Sequence, residues 1–208
     1  MKKTEVITSL DEAKIIGYFE TVKSNFYLQT MFEALAFNEK GQFIIKCPED
    51  IYKIMKINFS EFERFVKYLY HGNGAIRDNF HDLILTDLII NSWIIFEMII
   101  KDLANKDYSL INSDQSVNYN SNSLGFSDNE KKDIDLFYYI RNAFSHYNGA
   151  YYAYKNIDHV YNGVHFISKG NEGKKIHIPD LKFAYKIHID IEKLIIKGWG
   201  NYLKLGKR

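Results

Sequence analysis

The chain has 208 residues, 46% hydrophobic and 25% charged, and its 27 Lys and Arg against 26 Asp and Glu give a formal net charge of +1. That balance excludes wholesale disorder, a collagen-like chain and a coiled-coil rod, and it leaves no global basic field, so any nucleic-acid surface must be local. The single cysteine, Cys47, excludes an internal disulfide framework and a cysteine-built zinc site and suits a reducing compartment.

The charged opening Met1-Lys2-Lys3-Thr4-Glu5 leads into no uninterrupted apolar run, so no signal peptide is expected. With only Pro48 and Pro179 as breakers, long helices are expected. The first is predicted from about Asp11 to Asn38, capped by Ser9 or Asp11 and followed by Gly41. Phe43-Ile44-Ile45 is expected to be a short extended segment closed by Pro48, with a short helix from Pro48 to Lys56 after it. Ser60 with Glu63 forms a capping box for a helix through Tyr70, which His71-Gly72-Asn73-Gly74 stops.

A central helix is predicted from about Asn79 to Lys106, apolar nearly all round. Its run Leu83–Ile100 has the length of a membrane span but contains Asp87, Asn91, Ser92 and Glu97, which are costly in a bilayer core, so burial inside a soluble cytoplasmic protein is the expectation. Asp107 to Ser127 is rich in Ser and Asn, anchored by Leu110, Ile111 and Leu124, and long enough to be a lid, a binding loop or a disordered segment. Ser127-Asp128-Asn129-Glu130 restarts a helix that continues to about Tyr147, where Asn148-Gly149 stops it. Val164–Ile167 and Lys175–Ile178 then alternate with period two around Lys169–Gly173, which reads as a hairpin at about 163–178. Pro179-Asp180 opens a last helix to about Leu203. The expected architecture is one all-α bundle over 1–208 with a small β-hairpin before its final helix.

The segment that carries chemistry is Phe137–Gly149. At about 100° per residue, Ile134, Phe137, Tyr138, Ile140 and Phe144 share an apolar face, and Arg141 falls inside it. A charge there needs a carboxylate, a carbonyl or an anion. Asn142 and His146 are four apart and share another face, and the helix dipole at the C-terminal end favours imidazolium on His146. An arginine for a phosphate, a titratable histidine and a nearby amide suit metal-free transesterification of RNA. The segment supplies one histidine where acid and base roles call for two groups. A two-fold dimer would bring the second. The bland alternative pairs Arg141 with Asp87 or Glu97 inside the bundle and leaves His146 as a helix-end residue.

Arg141-Asn142-Ala143-Phe144-Ser145-His146 resembles the arginine, four-to-six-residue, histidine motif of HEPN domains (higher eukaryotes and prokaryotes nucleotide-binding). In architecture the resemblance covers about Asn79 to Leu203, and in sequence these six residues. It implies an all-α HEPN-like bundle that dimerises with both motifs in one cleft, and a metal-independent endoribonuclease needing no cofactor. It also implies a toxin–antitoxin, abortive-infection or other phage-defence setting, with an antitoxin or other defence-system partner. Carried over by position, Arg141 and His146 are catalytic, Asn142 assists, and a polar residue of the preceding helix (Asp87, Asn91 or Glu97) supports the site. Some such toxins carry a tyrosine two residues after the histidine that a nucleotidyltransferase modifies. Here that position is Asn148 and the tyrosine is Tyr147, which is left as a base-stacking contact with Tyr151, Tyr152 and Tyr154. The other histidines form no ligand cluster: His165 and His177 could face each other across the hairpin, and His188 lies four before Glu192. A non-catalytic helical module that binds a nucleotide or a partner protein is the alternative from another class.

Overall fold

A computed structural model of the chain describes residues 11–36, 40, 75–104, 110, 112, 118, 119, 121–147, 150, 151, 157–168, 174, 175 and 178–206, with backbone alone for 36, 75–80, 146, 147, 150, 151, 168, 174, 175, 205 and 206. The segments expected at 43–45, 48–56 and 60–70 lie outside the described residues. Four helices dominate: α1 (Glu12–Ala36), α2 (Ala75–Ala104), α3 (Asp128–Tyr147) and α4 (Leu181–Gly206). The expected fold class holds: the described chain is mostly helical, with a small antiparallel hairpin before the C-terminal helix.

Capping chemistry explains where the helices begin. The Asp11 carboxylate accepts from the Lys14 N–H at 2.8 Å, satisfying a first-turn donor of α1. Ser127 and Glu130 form a reciprocal capping box on α3: the Ser127 N–H donates to Glu130 Oε2 at 2.7 Å and the Glu130 N–H to Ser127 Oγ at 3.3 Å. Lys197 of α4 donates to the same Glu130 carboxylate, and these bonds hold it below the usual carboxylate range against the opposing effect of desolvation. Asp180 caps α4 through the Phe183 N–H at 2.7 Å.

The chain divides into two compact units, Met1–Lys23 with Thr86–Arg208, and Ser24–Leu85. In the second, Glu33 of α1 is buried, and both its carboxylate oxygens lie 3.1 Å from His81 Nδ1 of α2. In the first, Leu88, Ile89, Trp93, Phe96, Ile99 and Ile100 of α2 are buried, as the apolar sequence requires. The stretch His81–Ala104 is long and apolar enough to cross a membrane, and half of its most apolar window is buried within the fold. Its polar residues are each satisfied locally. Asn91 donates to Asp87 at 2.7 Å, Glu97 pairs with Lys101 at 2.6 Å, and the Ser92 hydroxyl donates to the Leu88 carbonyl at 2.6 Å.

Ser92 also ties α2 to α4. Its Oγ lies 2.8 Å from Nδ1 of His188, and both residues are fully buried. Because the hydroxyl proton goes to Leu88, Nδ1 of His188 is the donor in the second bond. Desolvation between the Phe19 and Tyr185 rings is the main reason its pKa falls to about 4, with the Lys23 charge adding to it.

The hairpin is a correction. Strand Val164–Ser168 pairs with Ile157–Tyr161 and not with the expected 175–178 segment. Two short strands, Ala150–Tyr151 and Lys174–Lys175, form a second antiparallel pair. In chain order these are β1 (150–151), β2 (157–161), β3 (164–168) and β4 (174–175). The β2–β3 turn is Asn162-Gly163 with φ of 47° and 79°, the two-residue turn whose positive φ at both positions matches the strand twist. The inner face of β2 carries Ile157, His159 and Tyr161: His159 Nε2 sits 2.6 Å from Asp133 Oδ1 of α3, and the Tyr161 hydroxyl donates to Asp190 of α4 at 2.8 Å. That bond and burial raise the Tyr161 pKa far above the ordinary value. His165 lies opposite Val160, with Nε2 2.6 Å from Asp158, and the expected pairing with His177 lies outside the described residues.

Two outcomes follow for stability. A Cβ on Gly198 of α4 would meet Phe126 Cζ at 2.7 Å, whereas one on Gly200 meets nothing within 4 Å. Gly198→Ala is therefore expected to destabilise by about 1–3 kcal/mol through overpacking against a buried ring, while Gly200→Ala stabilises by about 0.5–1 kcal/mol through helix propensity; paired denaturant titrations read both signs. For His188, the folded pKa lies below the unfolded value of 6.5. Its contribution is thus fully present above pH 6.5 and is lost as pH falls towards about 4, at about 1.4 kcal/mol per unit. His188→Phe is expected to flatten the slope of stability against pH across that window.

Candidate functional site

Position on α3 is set by helical spacing. At about 100° per residue, Ile134, Leu136, Phe137, Ile140 and Ala143 point into the core and are buried. Tyr138, Arg141 and Ser145 follow one another at three- and four-residue steps along the flank of that face, with Asn142 directly after Arg141. Tyr138 is 38% exposed, so it lies at the edge of the core face and not within it as expected from its spacing.

Arg141 is half-buried on this flank, with its guanidinium donating from Nη1 to Asn142 Oδ1 at 2.7 Å. Its Nε is buried and has no hydrogen-bond partner among the described residues. Neither carboxylate offered by the bland reading neutralises it: Glu97 pairs with Lys101, Asp87 accepts from Asn91, and among the described residues Arg141 forms no ion pair. The result is a cation attached to a rigid helix, bridged to a neutral amide, and with no anion of the fold bound to it.

Around it stands an aromatic cluster that crosses three elements. Trp93 of α2 stacks on Phe96 with ring centroids 5.0 Å apart, and meets Tyr119 at 5.3 Å and Tyr138 at 5.7 Å. Tyr119 completes the group at 5.8 Å from Phe96 and 6.1 Å from Tyr138. It reaches this place because the polar stretch 107–127 is pinned on both sides of it. Leu110 and Leu124 are fully buried, the Asn118 N–H donates to the Leu110 carbonyl at 2.8 Å, and a 3₁₀ turn at Asn122–Leu124 is capped by Ser121.

The cluster has an electrostatic centre as well. Burial pushes the Tyr119 hydroxyl far above the ordinary tyrosine value, the charges of Glu97 and Tyr138 add to the shift, and Arg141 opposes it. Tyr119 is therefore a neutral O–H donor at any working pH, between a carboxylate on α2 and the guanidinium on α3. Tyr139, next along α3, is likewise pushed up to about 12, chiefly by burial.

Of the residues singled out from the sequence, Arg141 and Asn142 are brought together directly. Glu97 joins their neighbourhood through Tyr119, and Asp87 and Asn91 bond to each other one to three turns earlier on α2. The backbones of His146 and Tyr147 close α3, with Asn142 and His146 at i and i+4; their side chains lie outside the described part of the structure, as do those of Tyr151, Tyr152 and Tyr154. Trp93, Tyr119 and Tyr138 were not singled out from the sequence as site residues. The one signal for Tyr119 is an aromatic placed between two leucine anchors in an otherwise Ser- and Asn-rich segment.

No protein-family model, no curated protein and no solved structure matches the chain.

If Arg141 serves an anion and not the fold, removing its charge should leave the protein folded. Replacing an unpaired, partly buried cation by an apolar residue of similar volume is neutral or stabilising. Arg141→Met is therefore expected to melt at or above the wild-type temperature; a fall of several degrees in calorimetry would assign the arginine to stability.

Proposed function

We propose that this chain is a metal-independent endoribonuclease of the HEPN type that acts as a homodimer. The observation that carries the reading is Arg141: a half-buried guanidinium held on a helix flank with no counter-anion among the described residues, in a six-residue segment that ends in His146. Such a cation is suited to a phosphate, because it can bind the anion through two N–H donors. The same charge stabilises the extra negative charge of a phosphorane.

In the proposed reaction one group takes the proton of a ribose 2′-hydroxyl, and its oxygen attacks the adjacent phosphorus. The bond to the 5′-oxygen breaks, and a second group returns a proton to that oxygen, leaving a 2′,3′-cyclic phosphate and a 5′-hydroxyl. His146 takes one of these roles, and the His146 of a two-fold related copy takes the other. Asn142, whose carbonyl oxygen accepts from Arg141, fixes the guanidinium plane for the phosphate. The setting, resting on the resemblance of the motif, is a toxin or phage-defence effector with an antitoxin or other defence-system partner.

The test is RNA cleavage in EDTA by wild type, Arg141→Ala and His146→Ala, each checked for folding by circular dichroism. The expected result is cleavage by wild type that falls by about 10²–10⁴ in folded His146→Ala, with cyclic-phosphate ends on the products. An inert wild type on total RNA and purified tRNA, or a His146→Ala protein that cuts equally well, would return the chain to the alternative of a non-catalytic module.

A further inference from the structure

The aromatic cluster next to Arg141 has no part in the proton transfers, and it is not a closed piece of core. Trp93 and Phe96 are fully buried and form its floor. Tyr138 stands at its edge with 38% of its surface exposed, backed by Trp93 on one side and Tyr119 on another. Tyr138 and Tyr119 make no hydrogen bond through their hydroxyls among the described residues. Two buried N–H donors of the same neighbourhood, Trp93 Nε1 and Arg141 Nε, have no acceptor among the described residues. The partly exposed Tyr138 ring, which the Tyr139 ring also meets at 5.7 Å, thus sits one helical turn before a guanidinium with no counter-anion among the described residues, with Cβ atoms about 5–6 Å apart at such i, i+3 positions. That is the spacing at which a single nucleotide can present its base to the ring while its phosphate meets the cation.

We propose that Tyr138, supported from behind by Trp93 and Tyr119, is a nucleobase-stacking subsite for single-stranded RNA, adjoining the phosphate held by Arg141. The proposal rests on the ribonuclease reading for the role of Arg141 and adds the substrate contact that would hold one base out of its stack. Stacking is sequence-tolerant because every base has a π-face. A hydrogen bond from the Tyr119 hydroxyl would add preference among bases. Charge favours a nucleic acid over an apolar surface at this spot, since such a surface would bury the Arg141 cation unpaired.

Binding of two fluorescein-labelled heptamers by the full-length protein tests it: a 2′-O-methyl RNA, which cannot be cleaved by attack of a 2′-hydroxyl, and an abasic sugar-phosphate chain of equal length. Wild type is expected to bind the base-bearing chain more tightly. Tyr138→Ala should weaken that binding about 5- to 100-fold while leaving the abasic chain unaffected, Tyr138→Trp should retain it, and Arg141→Met should weaken both. Equal affinities of wild type and Tyr138→Ala for the base-bearing chain overturn the proposal. So does a Tyr138→Ala protein that changes from dimer to monomer in light scattering, which would make the ring a contact between copies. The two readings fail separately. RNA cleavage without Tyr138-dependent binding sinks the subsite alone, and Tyr138-dependent binding without cleavage sinks the nuclease alone.

Discussion

Burial of α2 is the constraint from which the rest of the larger unit follows. A thirty-residue helix this apolar needs cover, and half of its most apolar window is buried within the fold; whatever covers it must also satisfy the few polar groups it carries inward. Ser92 shows how. Its hydroxyl turns back to the Leu88 carbonyl within the helix, which leaves its lone pairs for a donor from outside, and His188 of α4 supplies the donor. One buried hydrogen bond thereby fixes the tautomer of a histidine and the register of two helices. Because neither residue meets water, the imidazole stays neutral far below its ordinary range.

The same covering creates the candidate site. Trp93 follows Ser92 directly and faces α3, where it meets Tyr138, and the polar connection between α2 and α3 folds Tyr119 down on both. Three elements thus converge on the flank that bears Arg141. The helix surface beyond it on α2, with Ile94 and Met98 46% and 45% exposed, stays open. A ring and a cation displayed together on rigid helices have little side-chain entropy left to lose on binding, which is what preorganisation of a nucleotide site requires.

Much of the fold was legible because helix boundaries are local chemistry. Asp11, Ser127 with Glu130, and Asp180 cap as their spacing indicates, and the described helices begin and end within a few residues of the expected places. The hairpin was read from the wrong signal. A glycine-rich stretch at 169–173 drew attention, yet the two-residue Asn162-Gly163 step is the stronger cue, because only residues that tolerate positive φ can close a hairpin in two positions. Strand 164–168 is alternating either way; its partner was chosen by the turn.

Residue spacing by itself determined that the chain is helical and that a long apolar helix precedes a capped amphipathic one; it put Arg141 inside the apolar face, where the structure has it half-buried on the flank. Tertiary structure alone decided that Arg141 has no carboxylate partner among the described residues, that Tyr138 is partly exposed, that Tyr119 joins it from a polar connection, and that Ser92 meets His188 across 96 residues. The reason is physical. Periodicity and capping depend on neighbours a few positions away along the backbone, whereas the pairing of a charge or the exposure of a ring depends on which distant side chains the packing of the core brings within a few ångströms.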